Sequence, residues 1–88
     1  MSVADDIRRK LTEAFRPSEI LVEDESALHA GHAGARPGGE THFRVRIVSL
    51  DFVDMSRVAR QRKVYEVLAD EMRGQIHALS IDARVPGE

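Results

Sequence analysis

The amino-acid sequence predicts an α+β sandwich in which a three-stranded sheet carries its helices on one face. Three observations lead there. The chain opens on a helical apolar stripe, then gives two stretches of alternating apolar and polar residues. A long charged helical region separates these from a third alternating stretch. The predicted order is helix, strand, strand, one or two helices, strand.

In the first helix Ala4, Ile7, Leu11, Ala14 and Phe15 recur at three- and four-residue spacing. Ser2 is placed to cap it, Asp5 and Asp6 suit the positive end of its dipole, and Pro17 stops it. A strand over 19–24 puts Ile20 and Val22 on one face and Leu21 on the other. In the next strand Phe43, Val45 and Ile47 alternate with His42, Arg44 and Arg46. The second helical region runs from about Met55 to Arg73, with Asp54 or Ser56 as cap and Gly74 as stop. A break near Ala59–Gln61 would make it two helices. Its expected buried stripe is Val58, Tyr65, Leu68 and Met72 with Val64 beside it, so Tyr65 joins Phe43 in the core. The last strand, over 76–85, buries Leu79, Ile81, Ala83 and Val85, with His77 at its entrance and Pro86 at its end.

Eighty-eight residues make a single domain, and a chain of this size buries only a little over ~60% of its unfolded surface. Hydrophobic residues at 42% and charged residues at 32% fit a globular chain. The net charge of −2 argues against nucleic-acid binding by bulk charge while permitting a local basic patch. Cysteine is absent, which excludes disulfides, thiolate nucleophiles and a cluster held by this chain's own sulfur. With no apolar run of membrane-span length and no apolar leader, the expected location is cytoplasmic and away from membranes.

Between the first two strands lies a stretch over about 25–40, rich in Gly and Ala. It exceeds hairpin length, and such loops tend to carry function. It holds His29 and His32, two of four histidines, the others being His42 and His77. Histidine is the commonest metal ligand, yet loop imidazoles are ordinarily just solvated. Spacing alone assigns them no role, because zinc wants three or four protein ligands. Asp24 and Glu25 read as a solvated strand end. Phosphate-loop, dinucleotide and nucleophile-elbow motifs are missing, so no enzyme activity is expected. Arg57, Arg60, Arg62 and Lys63 form the one dense basic stretch. It is either a solvated helix face balanced by Glu66, Asp70 and Glu71 or a set of phosphate contacts.

Taken together, ESALHAGHAG, GETHFRVRIVS, SRVARQRKVYEVLADE and IHALSI resemble the BolA family along nearly the whole chain. The resemblance implies a fold like the type II KH domain, αββ(α)αβ. It implies a non-catalytic partner of a monothiol glutaredoxin that shares a [2Fe–2S] cluster with it, in cluster trafficking or iron and redox regulation. Glutaredoxin and glutathione would supply sulfur, and the chain alone would hold no cofactor. His77 matches the family's ligand at the last strand. His29 matches the loop ligand, with His32 as its rival. The alternative is a DNA-binding transcriptional regulator using Arg57, Arg60, Arg62 and Lys63. When free, the chain is expected as a monomer or weak homodimer. Two departures stand out: the KH-type GxxG loop is missing between the helices, and Gln61 replaces the histidine of the family's RHR.

Overall fold

The computed structural model describes residues 2–25, 42–74 and 76–88. The predicted loop over 25–40, with His29 and His32, therefore lies outside the described residues apart from Glu25. Helix α1 (Val3–Phe15) is followed by strands β1 (Glu19–Asp24) and β2 (His42–Val48) and a 3-10 turn at Leu50–Phe52. Helices α2 (Arg57–Val67) and α3 (Ala69–Gly74) then lead to strand β3 (Ala78–Arg84). The strands lie in the order β1-β2-β3. β1 runs antiparallel to β2, whereas β3 runs parallel to it. A parallel pair needs a crossover, and α2 with α3 provides it.

Ser2 caps α1 as expected, and a reciprocal bond completes the capping box. The Asp5 amide donates to Ser2 Oγ at 3.0 Å, and the Ser2 amide donates to Asp5 Oδ2 at 3.4 Å. The helix ends at Phe15, where Arg16 turns left-handed at φ 44° ahead of Pro17. Its inward face is Ile7, Leu11 and Phe15, all buried, while Ala14 of the predicted stripe is exposed. Across from it Phe43, Val45 and Ile47 are buried on β2, and Val22 on β1. Leu79, Ile81 and Ala83 of β3, followed by Val85, pack against the same cluster. The alternation predicted for the strands thus holds on all three.

Ser49 locks the end of β2 to α1. Its buried hydroxyl donates to the Phe15 carbonyl at 2.7 Å and accepts from the Asp51 amide at 3.1 Å. This caps the 3-10 turn that drives Phe52 fully into the core, 4.9 Å from the ring of Phe15. Ser56, not Asp54, caps α2, accepting from the Ala59 amide at 3.1 Å.

The crossover departs from the predicted pattern in two ways. The helix breaks at Leu68 rather than near Ala59–Gln61. The buried face of α2 is Arg60 and Val64, leading to Leu68, so Val58 is 60% exposed and Tyr65 37% exposed. Tyr65 is not a core residue. Its hydroxyl donates to the Leu79 carbonyl at 3.1 Å, on β3. The reason for the shift is Arg60, an inward-facing cation that an apolar stripe cannot reveal.

Lys10 Nζ stands 2.7 Å from Glu71 Oε2, joining α1 to α3, and that hydrogen bond holds the ammonium above its ordinary value. Leu68, fully buried at the break, is the apolar pin of the crossover. Replacing it, Leu68→Ala, should lower the unfolding free energy by about 2–5 kcal/mol, as measured by urea denaturation.

Candidate metal centre

β3 begins from a fixed point. The buried Ile76 donates its amide to the Glu71 carbonyl at 3.0 Å, after which the chain comes out and presents His77 to solvent. The parallel register pairs His42, first residue of β2, with Ala78, first residue of β3. His42 and His77 therefore meet at the same end of the sheet. Their ring centroids are 6.1 Å apart and their planes cross at 74°. His77 is exposed and His42 is half-buried.

Glu25 belongs to this corner. Its amide donates to the His42 carbonyl at 2.7 Å, and its Oε2 is 3.5 Å from Arg44 Nε. The chain leaves the described residues at Glu25 and re-enters them at His42, next to His77. Among the described residues no group of three or more His, Asp or Glu could hold a metal unaided. What the corner brings together is two imidazole rings. A cleft of ≈ 400 Å³ bordered by Phe15, Ser49, Leu50 and Pro86 lies at the other end of β2.

The sequence pattern treated His42 only as the start of a strand. The missing step was pairing. Two strands joined through helices are expected to run parallel, which brings their N-terminal residues together.

The basic stretch of α2 divides. Arg57, Arg62 and Lys63 are exposed, but Arg60 is 8% exposed. Arg60 Nε donates to the Met55 carbonyl at 3.0 Å, and Nη1 to the Ala83 carbonyl at 3.1 Å. Nη1 and Nη2 grip Glu88 Oε1 and Oε2 at 2.6 and 3.1 Å. Glu88 reaches this position through a turn in which its amide donates to the Val85 carbonyl at 3.1 Å. Gly87, at φ +88°, sits where a type II turn requires a left-handed residue, after Pro86. A phosphate-contacting face on α2 would thus consist of Arg57, Arg62 and Lys63.

These features describe a small α+β domain whose candidate site is a sheet corner where an exposed His77 stands beside His42. A sequence model of the BolA-like protein family matches residues 11–88. The Arabidopsis thaliana protein BOLA1, chloroplastic, is 46% identical over 97% of this chain and 54% of its own length. An uncharacterised Sinorhizobium protein is 46% identical over the whole chain and 96% of its own length. SufE-like protein 1 of A. thaliana is 49% identical, with 93% of this chain matching only 23% of that longer protein. Among solved structures, the BolA domain of SufE1 from A. thaliana superposes with a TM-score of 0.87 at 46% identity, covering 98% of this chain and 94% of that one. BolA1 from A. thaliana gives 0.84 at 41% identity, covering 97% and 93%. The chain belongs to the BolA-like family. Its element order and mixed sheet are compatible with the KH-like arrangement that the resemblance implies. No described helix is long and apolar enough to cross a membrane.

The Arg60 grip holds the Glu88 carboxyl at about 2, below its ordinary 4.5, with the Val85 amide adding to the effect. A carboxyl depressed on folding contributes stability that is fully present above its unfolded value and is lost as pH falls through its folded value. Glu88→Gln should therefore unfold at lower urea concentration than the parent at pH 7. The gap should narrow between pH 4.5 and 2. A gap that stays constant over that range would count against the ion pair.

Proposed function

We propose that this chain is a non-catalytic partner of a monothiol glutaredoxin and shares a [2Fe–2S] cluster with it, in cluster trafficking or in iron and redox regulation. The cluster is cargo of the pair, not a resident group of this chain. The observation that carries this reading is the solvent-facing His77 with a second imidazole beside it at one corner of the sheet.

The donor set fits. The chain has no cysteine, so it has no thiolate to give an iron, and histidine nitrogen is the donor the resemblance implies while glutaredoxin and glutathione contribute sulfur. Two imidazoles on one iron of a [2Fe–2S] cluster form the Rieske-type arrangement, which raises the reduction potential above that of an all-cysteine cluster. His77 supplies one nitrogen from a strand entrance held by the buried Ile76. Family resemblance gives the second to His29, or to its rival His32. An exposed corner also suits a site that a partner must reach.

A DNA-binding role finds less support. Of the four cations it would use, Arg60 is turned inward onto β3 and Glu88, which leaves three. Phosphate contact would show itself as binding that falls steeply as salt rises.

The deciding experiment adds the chain to cluster-loaded monothiol glutaredoxin under anaerobic conditions and follows visible circular dichroism. The parent chain should change the cluster spectrum, and His77→Ala should leave the glutaredoxin spectrum as it was. An unchanged spectrum with the parent chain would rule out cluster sharing. An equal change with His77→Ala would remove His77 as a ligand.

A further inference from the structure

We infer that the Arg60 guanidinium and the Val85 amide, with Arg84 beside them, form a binding site for a phosphomonoester dianion, which the carboxylate of Glu88 fills in this structure. The site lies at the end of β3 away from His77 and does not depend on the shared-cluster reading.

Three donors converge on one carboxylate. Arg60 Nη1 donates to Glu88 Oε1 at 2.6 Å and Nη2 to Oε2 at 3.1 Å, and the Val85 amide donates to Oε1 at 3.1 Å. Arg84 Nη1 reaches the Glu88 carbonyl at 3.4 Å. The guanidinium is also held from behind by the Met55 and Ala83 carbonyls, so its fork keeps its orientation whichever anion sits in front. Such a fork takes two oxygens of a carboxylate or of a phosphate in the same way, and a phosphate brings the greater charge.

The surrounding charge favours a dianion. Arg84 Nε is paired with both Asp82 oxygens at 2.9 and 3.1 Å. Arg46 and Arg57 act on Asp82 at longer range, and Arg57 acts on Glu88 as well. With Glu88 displaced, the guanidinium groups of Arg46, Arg57, Arg60 and Arg84 stand against Asp82 alone.

Glu88 controls access. Its side chain is 40% exposed, whereas that of Arg60 beneath it is 10% exposed. Pro86, Gly87 and Glu88 are all exposed, so the turn they form can open without moving a core residue. With its carboxyl held at about 2, Glu88 is ionised at neutral pH, and an incoming anion must displace it rather than await its protonation.

The test titrates inorganic phosphate and phenyl phosphate into the nitrogen-15-labelled chain at constant ionic strength. Glu88→Ala, and Glu88→Ala combined with Arg60→Lys, are run in parallel. The nuclear magnetic resonance signals of the Val85 amide and Arg60 Nε report the site, and thermal unfolding reports stabilisation. A ligand that competes with a tethered carboxylate has its apparent affinity reduced to the fraction of molecules that stand open, so Glu88→Ala should bind with a midpoint about tenfold or more below the parent's. Arg60→Lys keeps the charge and loses the fork, and should weaken that binding. The comparison of Glu88→Ala with the parent keeps Arg60 intact, so it decides the matter even if the double variant folds poorly. A Val85 signal that stays in place in Glu88→Ala would overturn the site. Equal stabilisation of all three chains without a local shift would mean an adventitious ion only, and would overturn it too. A shift with a short DNA duplex but none with phenyl phosphate would replace the phosphomonoester with a nucleic-acid backbone.

Discussion

The parallel pairing of β2 with β3 is the constraint on which most of this structure depends. A parallel neighbour cannot be reached by a tight turn, so the chain must spend α2 and α3 on the return. That return lays helices over one face of the sheet and builds the core between them. It also brings the first residues of two strands to the same end. Had β3 run antiparallel in the same place, His77 would stand beside the end of β2 near Val48, a sheet length away from His42. The imidazole corner is thus a consequence of strand direction as well as of residue choice.

An edge strand must also be protected, since its unpaired backbone groups invite further strands. Here α2 sends two side chains to β3: Tyr65 to the Leu79 carbonyl and Arg60 to the Ala83 carbonyl. The two carbonyls lie four residues apart, so they have the same parity along the strand. Arg60 does more than cover an acceptor. It also ties the Met55 carbonyl, ahead of α2, to the carboxylate of Glu88 beyond β3. A buried cation is costly unless its donors are matched, and these four hydrogen bonds match Nε, Nη1 and Nη2. The basic stretch of α2 therefore holds two kinds of residue that share one charge. One arginine organises the crossover, and the other three cations face solvent.

Local chemistry was legible in the sequence, and long-range chemistry was legible only in part. Ser2 with Asp5, and Ser56, announce their helix caps because capping needs a hydroxyl or carboxylate a few residues from the amide it serves. Phe43, Val45 and Ile47 announce a half-buried strand for the same local reason. The face of α2 was misread because Val58 and Tyr65 look apolar while Arg60 looks exposed. The partners that make Arg60 a buried residue, Ala83 and Glu88, lie more than twenty positions away. The nearness of His42 to His77 was not legible for the same reason, because it comes from a register shared with a strand beyond the crossover. The resemblance carried His77 without that geometry, because matching residues needs no knowledge of what stands beside them.

Incomplete coordination explains why a domain with this site would act through a partner. Two imidazoles would meet half the needs of a four-coordinate iron, and among the described residues no group of three or more His, Asp or Glu could hold a metal. Such a corner would have little hold on a cluster by itself, because the missing bonds would have to come from another protein's sulfur. On the shared-cluster reading, docking and cargo binding are therefore one equilibrium: whatever favours the cluster favours the complex by the same free energy. A ligand at a strand entrance held by the buried Ile76 would lower the ordering cost on this side of the interface, and the exposure of His77 would leave a path for ligand exchange. A buried four-ligand site would retain its metal regardless of partner. An open two-ligand corner would give it up when the partner leaves, which would suit transfer and sensing better than storage.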